Sequence, residues 1–85
     1  VKIYVAHTQD GLWHVCDERG ERHAVFRARG YRAAAEKWIA KFDTVVTSAT
    51  YYKGRMRASE MAATFADLKM RARKEDENAG TTDSG

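Results

Sequence analysis

His7, His14, His23 and Cys16 are the side chains of this sequence best suited to ligate a soft metal or act as a nucleophile. One Cys with two His is most of a zinc ligand set. No paired spacing of the zinc-finger kind accompanies them, and no third group is in place to orient a Cys–His nucleophilic pair. A cysteine within a strand also lacks the helix N-terminus that lowers a thiol pKa. The carboxylates Asp10, Asp17, Glu18 and Glu21 fall in short Gly-containing stretches, where such residues serve turn geometry and solubility. Gly11, Gly20, Gly30 and Gly54 are isolated and build no phosphate-cradling loop. The expectation is a binding protein with no catalytic residue, no metal site and no cofactor.

The elements that must position these side chains follow from periodicity. Lys2 to His7 predicts a strand, with Ile3 and Val5 on one side and Tyr4 on the other. Asp10-Gly11 is a hairpin signal, after which Leu12 to Asp17 alternates again, Trp13 and Val15 opposing Leu12, His14 and Cys16. Glu18 to Glu21 is a polar turn around Gly20. His23 to Arg27 then predicts a third strand, with Ala24 and Phe26 facing one way and His23, Val25 and Arg27 the other. Past Gly30, the residues Tyr31, Ala34, Ala35, Trp38, Ile39 and Phe42 recur at helical spacing. A one-sided sheet and a one-sided helix bury each other, so Ile3, Val5, Trp13, Val15 and Phe26 should meet Trp38, Ile39 and Phe42.

Thr44 to Tyr52 is dense in β-branched and aromatic residues and predicts a fourth strand, followed by a basic connection from Lys53 to Arg57. Ser59 is the expected N-cap of a second helix running to about Lys74. Met61, Phe65 and Leu68, flanked by Ala58 and Ala72, form a narrow heptad-like seam on that helix. Glu75 to Gly85 is acidic, then small and polar, and is expected to be a disordered tail. The expected fold is α+β. A three-stranded antiparallel meander packs on one helix and is followed by a fourth strand and a second amphipathic helix, in the order β-β-β-α-β-α. Residues 1–74 form the single domain and 75–85 the tail.

Composition narrows the partners. The chain has 85 residues, a size at which the core is thin and a partner or second copy adds stability. With a single cysteine no intrachain disulfide can form, which suits a reducing cytoplasm, and no apolar run approaches a membrane span. A formal charge of +3 is compatible with a polyanionic partner without being that of a strongly basic DNA-coating protein. Alternation gathers Lys2, Tyr4, His14 and His23 on the sheet's outer face with Arg27, and Arg29 and Arg32 follow beyond its edge. Cations and polar rings on such a face suit a major groove or a single strand. Lys53, Arg55 and Arg57 add a second basic segment.

The stretch Asp10-Gly11-Leu12-Trp13-His14-Val15, then Gly20, Phe26 and Ala34-Ala35-Glu36-Lys37-Trp38-Ile39-Ala40, resembles the arm-type DNA-binding domain of phage tyrosine recombinases. The likeness covers residues 2–42 and implies a three-stranded sheet whose outer face reads the major groove, with Tyr4, His14, His23 and Arg27 at the DNA. Strands two and three carry His14, Cys16, His23 and Val25 where that family carries more Arg and Lys. Arg27 to Glu36 also resembles the end of a double-stranded-RNA-binding domain, whose basic helix start contacts phosphates. In general character the chain is similar to small accessory proteins of phages and mobile elements, which often bind one host protein. Two expectations follow. The first is nucleic-acid binding through the open sheet face; the alternative is a protein-binding module or inhibitor acting through Met61, Phe65 and Leu68, a seam that also suits a homodimer.

Overall fold

The computed structural model describes residues 1–84. Six elements follow one another: β1 (Lys2–Thr8), β2 (Trp13–Asp17), β3 (His23–Phe26), α1 (Tyr31–Phe42), β4 (Ser48–Met56) and α2 (Ala58–Ser84). The strands form one sheet in the order β3-β2-β1-β4. The first three are an antiparallel meander, with Val5 opposite Val15 and Val15 opposite Ala24. β4 joins beside β1 and parallel to it, because α1 carries the chain from one edge of the sheet to the other. Parallel neighbours need such a crossover.

One face of the sheet buries Ile3, Val5, Trp13, Val15 and Ala24 against Ala34, Ala35 and Trp38 of α1, with Phe26, Ile39 and Phe42 packed around them. This is the expected core. Trp38 is fully buried, and its indole N–H donates to the Arg22 carbonyl at 3.0 Å, so the ring enters the core without an unmet donor. α1 ends where Asp43 turns left-handed, at φ 48°.

The other face is not open. α2 lies across it, and Met61, Phe65 and Leu68 pack on Ala6 and Cys16, with Tyr4, Tyr52 and Met56 at the margin. The physical reason is already in the strand alternation. Ala6 and Cys16 face away from α1 and form a second apolar patch, and a helix with an apolar seam is stabilised mainly by burying it. The domain therefore has three layers, helix, sheet and helix.

Several boundaries differ from the sequence-based expectation. β4 begins at Ser48 rather than Thr44, since its pairing starts only where Lys2 is available, and Thr47 N–H reaches the Val1 carbonyl just outside the strand at 2.8 Å. The basic segment expected as a connection lies largely inside β4. Arg55 and Met56 pair with His7 and Thr8 after a register shift that leaves Lys53 and Gly54 as extra residues, Gly54 at φ 84°. α2 starts at Ala58, which puts Ser59 inside its first turn rather than at the N-cap. The helix also continues past Lys74, through the stretch expected as a tail, to Ser84, and Asp76 there is paired with Arg19 of the β2–β3 turn. Gly85 lies outside the described residues. Among the described residues no helix is long and apolar enough to cross a membrane.

Candidate nucleic-acid interface

The register of the strands decides which cations share a surface. His7, Trp13 and Phe26 lie abreast on β1, β2 and β3, and Arg55 of β4 is paired with His7. All four mark one end of the sheet. The chain leaves β3 at this end through Arg27 and Arg29 and enters α1, whose second residue is Arg32. β4 also finishes here, with Lys53 in the bulge, Arg55 in the ladder and Arg57 just beyond. The topology thus brings together Arg27, Arg29, Arg32, Lys53, Arg55 and Arg57, all exposed, from segments far apart in sequence. Three strand spacings separate β3 from β4, so the crest spans roughly 14 Å.

Four aromatic residues underlie this crest on the α1 side. The His7 and Trp13 rings stack at 4.1 Å, Trp13 meets Tyr51 at 5.7 Å, and Tyr51 stacks on Tyr31 at 4.9 Å. Arg32 closes the row, its guanidinium 5.8 Å from the Tyr31 ring centre and its Nε donating to the Tyr31 hydroxyl at 3.3 Å. Trp13 is buried, whereas His7, Tyr31 and Tyr51 are partly exposed. Sequence reasoning did not single out His7, Tyr31 or Tyr51 for this role. For His7 the signal was available, since it continues the Ile3–Val5 alternation onto the α1 face.

Carboxylates near the crest include Glu60, in the first turn of α2 just after Arg57. Asp10 stands at the same end, but its carboxylate already accepts from the Thr8 hydroxyl and from Leu12 N–H at 3.2 Å. Those bonds hold its pKa below the usual carboxylate value. The N-terminus of α1 also opens here, with no side-chain cap at Gly30 and no acidic residue in its first turn, so the helix dipole adds to the positive field.

The remaining expected contact residues lie elsewhere. Lys2 and Tyr4 line a cleft of about 460 Å³ toward the opposite end of the sheet, with Glu18, Arg19, Arg71 and Glu75. Its mixed charge does not favour a polyanion. His14 and His23 sit on the α2 face, Nδ1 of His14 3.1 Å from Nε2 of His23, and the His23 ring meets Phe65 of α2 edge-on. Burial depresses the pKa of both, and for His14 the neighbouring His23 depresses it further. Cys16 is fully buried, and burial pushes its thiol up to about 12, which makes it an inert core residue. Among the described residues no three His, Cys, Asp or Glu side chains converge on a metal-sized site. Met61, Phe65 and Leu68 face inward onto their own sheet and are buried.

In comparisons with known proteins, no family model, no curated protein and no solved structure matches the chain.

Proposed function

We propose that this chain is a small nucleic-acid-binding domain that holds the phosphate backbone on the basic end of its sheet. The observation that carries this reading is the convergence of Arg27, Arg29, Arg32, Lys53, Arg55 and Arg57, brought from both edge strands and the start of α1 to one end of the fold. The mode differs from that implied by the likeness to recombinase arm-type domains, because α2 occupies the face that would enter a major groove. Arginines on a narrow crest position a backbone rather than read base edges. The partly exposed rings of His7, Tyr31 and Tyr51 beside them add apolar surface for an unstacked base.

Binding should therefore be salt-sensitive and weakly sequence-dependent. With six cations engaged at most, log K should fall with log salt at a slope of about −4 for a single strand or about −5 for a duplex. Fluorescence anisotropy of labelled single-stranded DNA, duplex DNA and RNA across a salt series measures this directly. Replacing Arg27, Arg29 and Arg55 together by Ala should remove most of the affinity. Replacing Lys69 and Arg73, which lie along α2 away from the crest, should leave most of it. Absence of binding at low salt, or a crest variant that binds as tightly as the unaltered chain, refutes the reading.

A further inference from the structure

β4 is the longest strand, nine residues from Ser48 to Met56, and it stands at the edge of the sheet with β1 as its one strand neighbour. The opposite edge is the four-residue β3. A long open edge is a template for another strand, and folded proteins usually blunt such edges with charge, proline or a bulge. Here the protection is uneven. Lys53, the Gly54 bulge and Arg55 guard only the far half. Ser48-Ala49-Thr50-Tyr51-Tyr52 pairs with β1 in unbroken register and carries no charge, no proline and no bulge. Ser48, Ala49 and Thr50 are exposed, and in the segment leading into the strand Val45 is 82% exposed.

We infer that Ser48–Tyr52 is a self-association edge, at which β4 of a second copy pairs antiparallel about a two-fold axis through Thr50. The sequence of the edge is self-complementary in that register. Thr50 meets Thr50 of the second copy, Ala49 meets Tyr51, and Ser48 meets Tyr52, so a small side chain lies opposite a large one on either side of a Thr–Thr pair. Lys53 falls beyond the paired segment, so no two cations are set directly opposite each other. That choice favours a second copy over an acidic peptide, which would need to sit on the bulged, cationic half where the ladder is interrupted. A two-fold axis normal to the sheet is isologous and closed, giving one eight-stranded sheet rather than a fibre. The two basic crests then lie at opposite ends of that sheet, so the inference stands independently of nucleic-acid binding.

Sedimentation velocity of the full chain over a concentration series should show a monomer–dimer equilibrium. Thr50→Lys sets two ammonium groups against each other on the axis and should weaken the dimer on the order of tenfold or more, with circular dichroism unchanged because Thr50 is exposed. Thr50→Cys should oxidise to a covalent dimer much faster than Ala49→Cys, since only residue 50 meets its own copy at disulfide distance. Cys16 is buried and does not compete. A chain that stays monomeric, a dimer indifferent to Thr50→Lys, or equal cross-linking at positions 49 and 50 overturns the inference.

Discussion

The rings of Tyr31 and Tyr51 lie 4.9 Å apart and 5° from parallel, so the first residue of α1 is stacked on the middle of the edge strand β4. This contact joins two residues that are separated in sequence by the rest of α1 and the loop after it. It also fixes the start of the helix, and with it Arg32, over the end of the sheet.

Removing the stack should loosen that end of the molecule without dissolving the core. Stacked aromatic pairs add about 0.5–1.5 kcal/mol beyond the area they bury. Both rings are only partly buried, so Tyr51→Ala should cost roughly 2 kcal/mol. Tyr51→Phe keeps the ring and should cost a few tenths of a kcal/mol at most. Urea unfolding followed by tryptophan fluorescence is a suitable readout, since Trp13 touches Tyr51. Equal losses for the two variants would show that the hydroxyl, not the stack, carries the contact.

Two turn glycines make a second, paired prediction. Gly11 and Gly20 both have positive φ, 85° and 69°, so an alanine at either is strained by ~1–2 kcal/mol. They differ in what surrounds them. A Cβ at Gly11 would meet nothing within 4 Å, whereas one at Gly20 would lie 3.0 Å from Lys69 Cβ and 3.2 Å from the Phe65 carbonyl oxygen. The β2–β3 turn is thus pressed against α2, and Gly20→Ala must also push the helix outward. Chemical denaturation should show Gly20→Ala to be the more damaging by ~1 kcal/mol or more. Comparable losses at the two positions would mean that α2 does not hold its place against the turn.

The third prediction concerns acid. His14 and His23 share a hydrogen bond on the α2 face, and both have folded pKa values below the ordinary histidine value of 6.5. The unfolded chain then takes up protons before the folded one. The pair's contribution is fully present above pH 6.5 and is lost as the pH falls through the lower folded values. Asp10 favours the charged form of His14 and moderates the effect, while Phe65 gives His23 an apolar neighbour. Stability should begin to decline as the pH falls below about 6.5, before most carboxylates titrate. The decline should be shallower in His14→Gln/His23→Gln. An unchanged slope in the double variant would show that this pair does not carry the acid sensitivity.

The amino-acid sequence by itself determined the local elements and one of the two cores. The alternation in Lys2–His7, Leu12–Asp17 and His23–Arg27 specifies which residues face together, and Tyr31, Ala34, Ala35, Trp38, Ile39 and Phe42 specify the helix that covers them. These signals are legible because periodicity acts within a few residues. The start of β4 was not, because it depends on a distant partner: β4 begins where Lys2 can pair with Ser48, and the continuation of α2 past Lys74 brings Asp76 to Arg19, a contact no local periodicity signals. The same reason governs the candidate site. His14 and His23 are neighbours by simple alternation, but whether their face met water depended on where α2 came to rest. The burial of Met61, Phe65 and Leu68 against Ala6 and Cys16 closed it. Arg27 and Arg55 share an end of the sheet only because α1 crosses it and β4 docks parallel to β1. Strand order is a property of which surfaces bury each other best, and that was decided by the tertiary structure.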